Sequence, residues 1–191
     1  MRLVTWNIQW GCGVDGRVDL ARIVSTAREL ADFDVICFQE VADNFPALDG
    51  NDDRDQFAGL AALLPGYQRA EAYAVDFPAE GGRRRRFGNV LFTRYGLRAV
   101  RRHALPWPAD PPRESMPRVA VEATVQAPMG PVRITTTHLE YYSDLQRRAQ
   151  AARLRHLQDE ACHHAAHPRP PSGDGTPFDP APPTSRAIVV G

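Results

Sequence analysis

DVICFQEV, residues 34–41, is the stretch whose reading decides the fold. Val35, Ile36, Cys37 and Phe38 form an apolar run without alternation, the signature of a strand covered on both faces, and the run ends abruptly in Gln39 and Glu40. Upstream, LVTWN at residues 3–7 reads as a second strand that also ends in a polar residue, Asn7. Between the two, Val18, Leu20, Ile23, Val24, Ala27, Leu30 and Ala31 recur at helical spacing, with Asp15 or Asp19 placed to cap the start. The opening is therefore strand, helix, strand. Downstream, residues 56–64 read as a helix ended by Pro65-Gly66, residues 67–75 and 98–105 as strands, and NVLFT at 89–93 as a clear strand. PWPADPPRESMP reads as a proline-broken loop, because proline lacks the ladder donor. Residues 119–126 and 132–137 flank the turn cluster APMGP and read as a hairpin. A long helix over residues 143–164 should bury Leu145, Ala149, Ala152, Leu154 and Leu157. Residues 168–185 form a Pro/Gly-rich loop, and AIVV at 187–190 reads as another core strand. Strands mixed with helices and hairpins imply an α/β or α+β class with mixed sheets in a single domain over residues 1–191.

Composition narrows the function classes. A formal net charge of zero offers no overall field to draw the chain onto nucleic acid or an anionic membrane, so any polyanion site must be local. No apolar run approaches the roughly 20 residues a membrane helix needs, and MRLVTWNIQW does not have the layout of a secretory leader. Three cysteines, Cys12, Cys37 and Cys162, form an odd set without a CxxC pair, which fits a reducing, cytoplasmic setting. All basic residues are arginine.

Four polar signals coincide with strand ends: Asn7, Glu40, the Gly88-Asn89 pair and His138. Active sites of layered α/β proteins gather where strand ends open onto a crevice, so these residues are candidates for one constellation. A Mg²⁺ ion takes one or two carboxylates and completes its shell with water and substrate phosphate, a role open to Glu40. Each residue also has a plainer reading: Asn7 and Asn89 as turn residues, Glu40 as a solvated strand end, His138 as a hydrogen-bonded histidine. Arg83 to Arg86 read as a Gly-rich loop before the NVLFT strand, either a phosphate clamp or a solvated charge run. Arg118 is assigned to a structural ion pair outside the site. Cys162, His163, His164 and His167 could hold zinc, but lack an HExxH arrangement.

TWNIQ at 5–9, FQEV at 38–41, RFGNVLFTR at 86–94 and TTHLE at 136–140, with QRRAQ at 146–150, stand in an order that resembles the endonuclease/exonuclease/phosphatase superfamily, which includes apurinic endonucleases and deoxyribonuclease I-like nucleases. The resemblance implies a deoxyribonuclease I-like fold: two mixed β-sheets packed as a sandwich flanked by helices. By the same resemblance, Asn7 and His138 would be catalytic, Glu40 with Asn7 would hold Mg²⁺ or Mn²⁺, and Asn89 and Arg86 would bind substrate phosphate. The family pattern continues with a strand ending in GDxN and a late Asp-His pair, neither present in these residues, so the resemblance implies an incomplete domain missing C-terminal strands and a nearly inactive fragment. The activity it implies is hydrolysis of a phosphodiester, as in a nuclease, or of a phosphomonoester, by a monomer. A non-catalytic phosphate or nucleic-acid binding module is the alternative.

Overall fold

The computed structural model describes residues 1–111, 113–170, 173, 175–179 and 181–191. Eight strands and three α-helices follow one another along the chain: β1 (Leu3–Asn7), α1 (Leu20–Leu30), β2 (Val35–Asp43), α2 (Gln56–Leu63), β3 (Gln68–Pro78), β4 (Arg84–Thr93), β5 (Leu97–Ala104), β6 (Val119–Ala127), β7 (Gly130–Thr137), α3 (Asp144–Ala166) and β8 (Ala187–Val190). They build two four-stranded sheets, β1-β2-β4-β3 and β5-β6-β7-β8. Each is mixed in the same way, with one parallel pair at an edge, β1 with β2 and β7 with β8, and antiparallel pairs elsewhere.

The double burial of β2 explains its unbroken apolar run. Ile36 and Phe38 face α1 and α2, in a core with Ile23, Phe57, Leu60 and Phe92, while Val35 and Cys37 face the second sheet, packing with Leu91, Val121, Ala123 and Ile134. Burial pushes the Cys37 thiol up to about 12, so it is an inert packing group. Asp19 rather than Asp15 caps α1, its carboxylate accepting from the Arg22 amide; Asp15 instead pairs with the Arg22 guanidinium at 2.8 Å. No helix among the described residues is long and apolar enough to cross a membrane.

Two elements depart from the sequence reading. Arg84, Arg85 and Arg86 lie within β4, opposite Pro78, Phe77 and Asp76 of β3, not in a loop. The charges are tolerated in a strand because Asp76 answers Arg84 at 2.7 Å. The second departure is α3, whose buried face is polar: Gln146 and Gln150 are buried with Leu157, whereas Leu145 is 52% exposed. The helix covers the described part of the loop between β5 and β6, whose backbone carbonyls need donors. Gln146 Nε2 donates to the Pro108 carbonyl at 2.9 Å and to Ser115 Oγ at 3.1 Å, and Gln150 Nε2 donates to the Pro106 carbonyl at 3.2 Å. Four residues apart, the two amides share one helix face. Replacing Gln146 by alanine should strand these buried acceptors, lower stability by about 1–3 kcal/mol, and speed tryptic cleavage after the exposed Arg113 of the loop. Unchanged cleavage would show that the loop is held by other means.

The chain from Pro168 to Ser185 contains no regular element among its described residues; the parts of the expected loop at 171, 172, 174 and 180 lie outside them.

Candidate active site

A bulge in β2 builds the rim of the sandwich. Phe38 pairs with Val90 and Val41 with Gly88, so Gln39 and Glu40 together oppose Asn89 alone. Glu40 takes up the extra residue with a positive φ of 59°, a conformation that costs a non-glycine residue roughly 1–2 kcal/mol. Bulges re-aim side chains, and this one places Gln39 and Glu40 in different roles. Gln39 is buried between the sheets, its amide donating to Thr5 Oγ1 on β1 at 3.1 Å and to Thr136 Oγ1 on β7 at 2.7 Å. Glu40 stays at the rim with its side chain 17% exposed.

There Glu40 Oε1 accepts from Asn7 Nδ2 at 3.0 Å and lies 3.1 Å from His138 Nδ1, an ion-pair contact without the alignment of a good hydrogen bond. Asn7 is itself oriented, because its Oδ1 accepts from the Gln9 amide at 3.1 Å. Burial alone would push the Glu40 carboxyl up. His138, Asn7 and the nearby charge of Arg118 more than offset it and hold the group below the ordinary carboxylate range. The end of β1, the bulge inside β2 and the residue that follows β7 thus contribute one side chain each, so Glu40, expected at a strand end, lies within its strand, and a carboxylate kept ionised sits at their meeting point.

Glu40 and His138 border a small pocket with Asn89, Arg118 and Met116, with room for about 10 Å³. That volume suits one water or ion and no more. Asn89 is 4% exposed, and its Nδ2 donates to the Val119 carbonyl at 2.9 Å, tying the first sheet to the second directly beneath the pocket. Arg118, assigned from sequence to a structural pair alone, does pair with Glu140 at 3.2 Å, and it also lines this pocket. Arg86 does not: it stacks over the Tyr73 ring at 5.0 Å and lies 3.8 Å from Asp43 and 3.6 Å from Asp76. The structure therefore brings Asn7, Glu40, His138 and Asn89 together and leaves Arg86 engaged elsewhere on β4. The signal that could have found Arg118 is its position, directly before a strand that pairs with the one ending in His138.

Glu140 supports the rim from below. Its side chain has no exposure; it accepts from the Tyr142 amide at 2.9 Å, and its backbone amide donates to Gln150 Oε1 at 2.8 Å. Burial opposes its ionisation, but the Tyr142 amide and Arg118 hold the carboxyl below the usual range. A carboxyl depressed in the fold adds stability that is complete above the unfolded value near ~4.3 and is lost as pH falls through the folded value. Urea midpoints measured from pH 6 downward should therefore decline below about pH 4, with a shallower decline in Glu140→Gln. An equal slope in that variant would exclude Glu140 as a cause.

The donor set fits a hard divalent cation held by one carboxylate. Glu40 would supply it, with Asn7 beside it and water and substrate oxygens completing the shell, as Mg²⁺ accepts. It does not fit zinc, since no group of three or more His, Cys, Asp or Glu among the described residues could hold a metal. Cys162, His163, His164 and His167, set aside as a zinc site from sequence, are no exception: the rings of His163 and His167 lie with centroids 4.5 Å apart, and His167 Nδ1 lies 2.9 Å from the His163 carbonyl.

Two mixed sheets face to face, helices outside, and polar residues gathered on one rim define a deoxyribonuclease I-like α/β sandwich. The chain belongs to the endonuclease/exonuclease/phosphatase family, whose model matches residues 4–169. Among solved structures it is similar to an endonuclease/exonuclease/phosphatase from Beutenbergia cavernae (28% identity, TM-score 0.57), the match covering 82% of this chain and 43% of that one. It shares its fold with the Bacteroides thetaiotaomicron mannosyl-6-phosphatase Bt3783 (15% identity, TM-score 0.60, 98% and 62% covered). The human Nocturnin catalytic domain, solved with bound sulfate, is a further fold relative (23% identity, TM-score 0.54, 83% and 58% covered). The chain thus spans less than two thirds of the length of each. No curated protein matches it.

Proposed function

We propose that the protein containing these residues is a Mg²⁺-dependent phosphoesterase, with Mn²⁺ as a substitute, and that Glu40, Asn7, His138, Asn89 and Arg118 form its metal- and phosphate-binding half-site. The observation that carries this reading is the half-buried, ionised Glu40 carboxylate held between an amide and an imidazole at the mouth of an ion-sized pocket. A bound divalent ion would neutralise phosphate charge and lower the pKa of its water. The chain's own residues do the rest. Asn7 fixes the carboxylate, His138 turns Nδ1 to Glu40 and leaves Nε2 for a phosphate oxygen, and Arg118 meets a second oxygen. Asn89 holds the wall of the pocket. Arg86, already answered by two aspartates, is the weaker candidate for a phosphate contact.

One feature favours a base-bearing substrate. Tyr141 and Tyr142, three and four residues after His138, are 73% and 62% exposed and meet edge to face at 5.0 Å, offering aromatic faces on which a nucleobase can stack. The test is hydrolysis of a single-stranded oligonucleotide, an abasic duplex, RNA, an inositol phosphate and a sugar phosphate, each with Mg²⁺ and with EDTA. Metal-dependent turnover of any of them supports the phosphoesterase reading. Preference for the oligonucleotides that is lost in Tyr141→Ala/Tyr142→Ala supports the stacking role. Residues 1–191 alone, lacking GDxN and a terminal Asp-His pair, should bind phosphate and turn over little. A cytoplasmic monomer remains part of the proposal.

A further inference from the structure

A cavity of about 480 Å³ lies away from the Glu40 rim, and its size is that of a small-molecule site. Side chains alternate across a strand. In β6 and β7, Val121, Ala123 and Ile134 point into the inter-sheet core, so Glu122, Thr124 and Arg133 point out of the opposite face. There they form a floor with Arg101 and His103 of β5, beneath the C-terminal half of α3 and residues 168–169, 177–179 and 181–184.

Charges on a sheet face are ordinarily solvated, yet Glu122 is 4% and Arg133 5% exposed. Glu122 lies 3.2 Å from Arg101, 3.6 Å from His103 Nε2 and 3.8 Å from Arg133. Arg133 also donates to Gln158 of α3. Two guanidinium groups thus face one carboxylate, leaving one positive charge on the floor before any on His103. Glu160, the acid on the helix wall, is occupied on its own helix by Arg153 at 3.3 Å and His156 at 3.0 Å. At the rim Arg169 and Asp179 bring opposite charges. Arg133 Nε and His103 Nε2 are buried at the floor without a hydrogen-bond partner among the described residues. A buried N–H left unpaired is costly, and an acceptor oxygen brought to it would relieve that cost. The walls above are apolar, with Leu157, Ala161, Pro168 and Phe178.

We propose that this cavity is a second ligand site, distinct from the phosphoesterase centre, that takes a small organic anion. Its oxyanion, a carboxylate or a phosphate monoester, docks on Arg133 and His103, and its apolar body lies between α3 and the proline-rich wall. Placed behind the sheet whose β7 strand leads into His138, the site would serve an effector rather than a substrate.

The test is titration of the folded chain, with EDTA present, by benzoate and by phenyl phosphate, with benzylamine and benzyl alcohol as controls, followed by NMR. One or both anions should bind with a dissociation constant below about 10 mM and shift the resonances of Ala161 and His164. The two arms distinguish a carboxylate from a phosphate preference. Ala161→Trp, which fills the cavity without touching its charges, and His103→Phe should each weaken binding by about tenfold or more. Glu40→Ala should leave it unchanged, so that failure here is separable from failure of the phosphoesterase reading. The proposal is overturned if neither anion binds, if the controls bind as well, if Ala161→Trp binds normally, or if the shifts cluster at His138.

Discussion

In the longer protein that contains these residues, Glu40→Ala is expected to lower kcat/KM for metal-dependent phosphoester hydrolysis by about 10³-fold, near 4 kcal/mol of transition-state stabilisation. Three losses combine. The carboxylate that would anchor the ion disappears, Asn7 Nδ2 loses its acceptor, and His138 Nδ1 loses the charge it faces. Glu40→Gln should fall almost as far, since a neutral amide cannot supply the anion. Stability should not follow activity, because residue 40 sits at φ 59°, where an L side chain is strained and removal of its contacts is offset in part by Glu40→Gly. An inactive Glu40→Gly that melts within a few degrees of the parent would separate chemistry from folding. His138→Ala should also cost at least about 10²-fold. Undiminished hydrolysis in both alanine variants would sink the proposed half-site.

Gly88→Ala should be severely damaging for a single added methyl group. A Cβ at residue 88 would lie 2.0 Å from the Ala72 carbonyl oxygen and 2.9 Å from the Tyr73 Cα, both backbone atoms of β3 that cannot rotate away. Strands β3 and β4 would have to separate where their register already shifts, between Tyr73 and Val75. We expect a loss of about 3 kcal/mol or more, the upper range for overpacking, together with reduced phosphate affinity as the neighbouring Asn89 moves. Gly96→Ala, where no atom lies within 4 Å, is the control and should be nearly neutral. Comparable urea midpoints for the two variants would contradict the steric account.

Gly88 also shows why a motif can be visible without its reason being visible. The GN pair of RFGNVLFTR stands out in the sequence, but the pair reads as a turn opening a strand. In the structure it lies inside β4, where the glycine admits the approach of β3 and the asparagine bonds across to β6. The FQE of residues 38–40 is similar. The run announces a buried strand and a carboxylate, but only pairing with β4 shows the bulge that sends Gln39 inward and Glu40 to the rim. Misreadings had the same origin. Hydrophobic spacing put Leu145 on the buried face of α3, whereas the loop beneath that face demands amide donors and selects Gln146 and Gln150. Arg84, Arg85 and Arg86 looked like part of a loop because their place in β4 rests on pairing with Pro78, Phe77 and Asp76 of β3, which a charge run does not announce.

By itself the sequence determined the order of most strands and helices, the mixed class and the candidates Asn7, Glu40 and His138, because periodicity, proline and glycine placement, and strand-end polar residues are local properties of the chain. Tertiary structure alone decided that Arg118 rather than Arg86 stands beside those residues, that Glu40 occupies a bulge, and that Glu122 and Arg133 line a buried cavity. These depend on contacts between segments far apart in the chain, and charge pairing, desolvation and steric approach act through space.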